Sequence, residues 1–126
     1  MIGTTRQVQV YAYPQPVDMR KSYEGLSAIV RNDLARDPMD GDLHLFCNRR
    51  RNRAKVLLWD GTGMAIYMKR LEQGLFASLW RDAGCDELTL SVTELQLFLE
   101  GSQLVGRTSL SPAPLPSGGI AIVTRL

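Results

Sequence analysis

The segment from Phe46 to Arg70 constrains the fold more than any other part of this chain. Its apolar residues fall into three groups. Phe46-Cys47 closes the first, Val56-Leu57-Leu58-Trp59 is the second, and Met64, Ile66 and Met68 alternate with Ala65, Tyr67 and Lys69 in the third. Runs of this length with turn residues between them predict three consecutive strands of a meander. The first interruption, from Asn48 to Lys55, is dense in cations: Arg49, Arg50, Arg51, Arg53 and Lys55. The second is Asp60-Gly61-Thr62-Gly63, whose glycines can take the positive φ of a short hairpin. A basic tip and a glycine tip therefore sit at opposite ends of one meander. The unbroken apolar run 56–59 suits a strand covered on both faces.

The segments on either side extend or cover that sheet. Gln7 to Tyr13 alternates and reads as a strand, stopped by Pro14 and Pro16. Asp18 suits a helix N-cap. Met19, Tyr23, Leu26, Ile29, Val30 and Leu34 then form one apolar stripe of a helix of about four or five turns. Gly25 inside it suggests close approach of another backbone, most simply the sheet. The cluster 36–42 ends the helix, and Leu43 to Cys47 opens the meander. After it, Leu75 and Phe76 tuck back onto the core, while 80–84 has no clear pattern. Glu87 to Ser91 alternates as a short strand. Ser91 and Glu94 form a capping box for a short helix carrying Leu95, Phe98 and Leu99 and closed by Gly101.

Beyond that glycine the composition shifts to Pro, Ser and Gly. The chain thus divides into one domain over residues 1–106 and a mobile tail over 107–126. The stretch 120–124 suits either a strand or a segment that docks on a partner. A length of 126 residues allows one core, and the apolar fraction of 44% and charged fraction of 22% are those of a soluble globular protein. The net charge is only +2, so the basic tip leaves the rest of the chain slightly acidic. A local patch of this kind points to a polyanionic partner better than net charge does. No apolar run reaches the ~20 residues of a membrane span, and the first residues lack an apolar leader core, so the expected location is the cytoplasm. Cys47 and Cys85 then read as reduced thiols.

Three stretches together resemble a known family. Val17 to Leu26 reads VDMRKSYEGL, beside a family signature TDMRKGFDGL. Asn48 to Gly63 reads NRRRNRAKVLLWDGTG, beside NRRRDRIKLLYWDGDG, and Lys69 to Phe76 reads KRLEQGLF, beside KRLEKGRF. This is similar to the accessory TnpB protein, the second open reading frame of bacterial insertion sequences of the IS-sixty-six type. (The RNA-guided nuclease of the same name is unrelated.) The resemblance runs from about Gln9 to Gly101, with Ser22, Glu24 and Ala54 as small departures. It implies a helper of transposition that works beside a DDE-type transposase and a small helix-turn-helix protein. It supplies no mechanism of its own.

The candidate site is the basic tip. Arginine forks bind phosphate bidentately, and a hairpin tip can track a backbone, so Arg49, Arg50, Arg51, Arg53 and Lys55 are the expected DNA contacts. The structural alternative is a solvated turn that keeps a hairpin soluble. Arg20 and Lys21 fall in the first turn of the expected helix, where its dipole disfavours cations. They are therefore secondary contacts for DNA or a partner, as are Lys69 and Arg70 in the third strand. Asp60-Gly61-Thr62-Gly63 lacks a Walker lysine and a following helix, so it reads as a turn in which Asp60 bonds its own backbone. His44, the single histidine, reads as structural. Asp18, Asp60 and Glu72 match no metal-site spacing, and no cofactor motif is present.

The expected protein is α+β: a mostly antiparallel sheet of about five strands, one long helix packed on it, and a short C-terminal helix. The first functional expectation is a non-catalytic transposition accessory that binds DNA, such as the element's terminal inverted repeats, through the basic tip. The second is an adaptor that docks the transposase or the helix-turn-helix protein with little DNA contact. A metal-dependent nuclease is a distant third.

Overall fold

The computed structural model describes residues 7–80 and 88–101. Cys85, the 107–126 tail, the 120–124 stretch and the domain boundary at 106 lie outside them. Five strands form one sheet: β1 (Val10–Ala12), β2 (Leu43–Cys47), β3 (Arg53–Trp59), β4 (Met64–Arg70) and β5 (Leu88–Leu90). Two helices complete it, α1 (Tyr23–Asn32) between β1 and β2, and α2 (Val92–Glu100) after β5. The strand order is β4-β3-β2-β1-β5.

The meander forms as its spacing predicts, with β2–β3 and β3–β4 antiparallel. The sheet is nonetheless mixed, because β1 and β2 are parallel, with Val10 opposite Leu43 and Ala12 opposite Leu45. A strand, a helix and a second strand make a crossover unit, which returns the chain in the same direction. This has a consequence for the site. Beyond β1 the chain continues alongside β2: the Tyr13 amide donates to the Leu45 carbonyl (2.9 Å) and the Val17 amide to the Cys47 carbonyl (3.0 Å). Residues 18–20 are thereby delivered to the β2–β3 tip. An antiparallel β1 would have delivered them to the glycine end.

The sheet is covered on both faces, so β2 and β3 show consecutive buried residues rather than alternation. On one face Leu26 and Val30 of α1 pack with Val17, Phe46 and Leu57. On the other, Leu45, Cys47, Ala54 and Val56 pack against Phe76, Leu95 and Phe98. Phe76 stacks on Phe98 with ring centroids 4.9 Å apart, which ties the connector after β4 to α2. Leu75, expected to tuck in beside it, is 40% exposed. His44 is buried on the α1 face and stacks on Tyr11.

Helix α1 is shorter than the stripe suggested, at 10 residues. Its N-cap is Ser22, without a side-chain cap bond, and not Asp18. Asp18 instead accepts from the Arg20 amide at 2.8 Å and from its guanidinium at 2.7–3.1 Å. An Asp can serve its own turn two residues on as readily as a helix. Arg20 and Lys21 therefore precede the helix and do not lie in its first turn. Leu26, Ile29 and Val30 carry the apolar face, while Tyr23 is exposed. Gly25 does not mark contact with the sheet: a Cβ there would meet Lys21 Cβ and Cγ at 3.1 Å. Helix α2 has the capping box its sequence predicts. The Glu94 amide donates to Ser91 Oγ (3.0 Å), and the Ser91 amide donates to Glu94 Oε1 (2.8 Å).

Candidate functional site

The β2–β3 tip is built by Asn48. Its side-chain oxygen accepts from the amides of Asn52 and Arg53, both at 3.0 Å, and its amide group donates to Asn52 Oδ1 at 2.8 Å. The Arg51 amide donates to the Asn48 carbonyl at 3.0 Å, closing a turn, and Arg51 then takes a left-handed conformation with φ of 61°. The Leu71 amide donates to the Asn52 carbonyl, and the Phe76 amide donates to the Arg51 carbonyl. A tip held from inside and from one flank has little backbone ordering left to do on binding.

Those side chains divide. Arg49, Arg50 and Arg53 line a cleft of about 530 Å³ on the α1 side of the tip, together with Asp18, Met19, Arg20 and Met68. The cleft joins two of the sequence segments that carry the family resemblance. Arg20 pairs with Asp18 (2.7 Å) and Arg70 with Glu72 (3.2 Å), whereas Arg49, Arg50 and Arg53 make no ion pair with a carboxylate among the described residues. Arg70 stands directly opposite Arg53 across β3 and β4. Like charges so placed repel, and Glu72 offsets only one of them. The Arg20 guanidinium and amide together hold the Asp18 carboxyl down at about 2, so it is charged at any ordinary pH.

Arg51 and Lys55 are not in the cleft. Arg51 is near Cys47 on the opposite face, where its charge favours the thiolate against the larger effect of burial, which pushes that thiol up to about 12. Lys55 is only 8% exposed. Its ammonium donates to the Met19 carbonyl at 2.9 Å and to the Lys21 carbonyl at 2.7 Å. These two carbonyls bracket Arg20, so Lys55 fixes the Arg20 segment to β3. Lys69 is similarly engaged, donating to the Leu99 carbonyl at 2.7 Å near the end of α2, where a cation complements the helix dipole. Lys21 is exposed and lies along Gly25.

The sequence supports this division in part. Lys55 and Leu57 share a strand face, and β3 is covered on both, so burial of Lys55 follows from the same pattern that made β3 central. Nothing in the sequence marks Met68 as a cleft residue. Asp60 lies in the β3–β4 turn at the far end of the sheet, where the amides of Thr62 and Gly63 donate to it at 2.9 Å and lower its carboxyl below the usual range. Gly61 there has φ of 107°, while Gly63 does not take a positive φ. Among the described residues, no helix is long and apolar enough to cross a membrane.

A family model described as IS66 Orf2 like protein matches residues 8–108. Two proteins of Sinorhizobium fredii (strain NBRC 101917 / NGR234) are similar over 101 residues each. One, titled Uncharacterized protein y4jC, is 41% identical, over 80% of this chain and 85% of its own length. The other, titled Uncharacterized protein y4hO, is 31% identical, over 80% and 86%. No solved structure matches.

Proposed function

The chain belongs to the IS66 Orf2 like family, accessory proteins of insertion-sequence transposition, and we propose that it serves there by gripping DNA through the arginine cleft, without catalysis of its own. The observation that carries this reading is the convergence of Arg49, Arg50 and Arg53 with Arg20 around one open cleft. Guanidinium groups without carboxylate partners on a braced turn are suited to phosphate oxygens, which they meet bidentately. Among the described residues no helix presents its side chains at the tip, so the contact expected is with backbone rather than base edges in a groove. Lys55 contributes by holding Arg20 in place, and Arg70 by extending the positive surface along the β4 edge.

Fluorescence anisotropy with a duplex of the element's terminal inverted repeat, and with a scrambled duplex, tests this. Replacing Arg49, Arg50 and Arg53 by Ala should lower affinity for both duplexes about equally. Retained affinity in the triple variant would defeat the reading.

One observation favours a docking role in addition. β4 is an edge strand, and its Tyr67 is 51% exposed on the face away from the arginine cleft. An aromatic on an open strand edge suits a protein partner, such as the transposase or the helix-turn-helix protein. Co-purification with either partner after nuclease treatment, lost in Tyr67→Ser, would support that role. Co-purification that depends on DNA would remove it.

A further inference from the structure

The cleft carries more than phosphate chemistry. Its lining also includes Pro16, Val17, Met19 and Met68. Met68 is 51% exposed although its neighbours on the α1 face, Phe46 and Lys55, are buried. Phosphodiester oxygens gain nothing from thioether walls. Asp18 also lines the cleft with a fixed negative charge, which is unfavourable beside a phosphate and favourable beside an amino group.

We infer that the cleft receives one unpaired nucleotide of a DNA strand, with its base against Met19 and Met68 and its phosphates on Arg49, Arg50 and Arg53. The inference rests on the DNA reading above. A volume of about 530 Å³ lies within the roughly 300–1,000 Å³ of clefts that hold small organic ligands. A paired base cannot enter such a cleft, because its faces are covered by its neighbours in the stack. An unpaired base can, and polarizable thioether sulfur makes favourable contacts with aromatic rings. The planar guanidinium of a rim arginine can stack on the same ring.

The test compares a blunt duplex with the same duplex bearing three-nucleotide single-stranded overhangs, by anisotropy on the full chain at one low salt concentration. The overhang duplex should bind roughly two- to tenfold tighter, the range of one thioether–ring contact. Met68→Ser should bring the ratio of overhang to blunt affinity down to about one, while Met68→Leu should keep most of it. Met68 is half exposed, so its replacement tests the cleft without opening the core. Equal affinity for the two duplexes, or an overhang advantage that survives Met68→Ser, would overturn the inference. The outcomes separate from those of the parent reading: blunt-duplex binding lost in the triple arginine variant upholds the backbone grip whether or not overhangs are preferred. Absence of binding to either duplex would overturn both.

Discussion

Removing the Lys55 ammonium tests how the cleft is held together. Lys55→Met keeps the length of the stem and deletes the charge that bonds the Met19 and Lys21 carbonyls at 2.9 and 2.7 Å. Hydrogen bonds to charged groups are worth about 1.5–3 kcal/mol each. Two effects reduce the sum. The native state bears the cost of desolvating an 8% exposed lysine, and the carbonyls, on an otherwise exposed turn, regain water when released. The net loss expected is about 1–3 kcal/mol, or a fall in Tm of roughly 5–20 °C for a domain of this size. Differential scanning fluorimetry reads the fall. Anisotropy reads a second consequence: the variant should lose DNA affinity as Arg20→Ala does, and combining the two should add little further loss. An unchanged or raised Tm would mean that the desolvation cost cancels the bonds. Fully additive losses of affinity would mean that Lys55 does not act through Arg20.

Three further outcomes are expected. Arg51→Gly should raise stability by about 0.5–1 kcal/mol, because glycine adopts the left-handed turn without the Cβ clash, and a lower Tm would refute that. It should leave DNA affinity nearly intact, since Arg51 does not line the cleft. Asp18→Asn should strengthen DNA binding, since it removes a negative charge from the cleft; weaker binding would show that the Asp18–Arg20 pair shapes the site. Cys47 and Tyr13 both have folded-state values pushed up to about 12, the first chiefly by burial, the second by burial and then by the carboxylate of Asp33. Their neutral forms are favoured by folding, so this stabilisation is complete below about pH 9 and is lost as pH rises towards 12. In a Cys85→Ser background, chemical denaturation should show stability falling over that window, and Cys47 should resist a thiol reagent at pH 8. Rapid native labelling would contradict its burial.

The meander was legible because its signals are local: alternation, a glycine turn, and cations where no core can form. The capping box of α2 is equally local. Three features were not. Asp18 followed by an apolar stripe has the pattern of an N-cap, and only the structure shows that Arg20 takes its carboxylate instead. The parallel pairing of β1 with β2 depends on where α1 packs, which alternation does not specify. It is also what brings Arg20 to the hairpin tip, so the cleft could not be assembled from the sequence. Lys55 shows a different limit. A run of cations reads as one patch, whereas strand period and burial split it. Arg49, Arg50 and Arg53 go to one cleft, Arg51 to the other face, and Lys55 to the interior.

The central claim is that a few cleft arginines neutralise DNA phosphates, and the salt dependence of binding measures that number. With Arg20, Arg49, Arg50 and Arg53 engaged, the slope of log K against log salt should be roughly −3 to −4. In the variant lacking Arg49, Arg50 and Arg53 it should flatten to about −1. A slope near zero in the wild type, or one that the triple substitution leaves unchanged, would contradict the account.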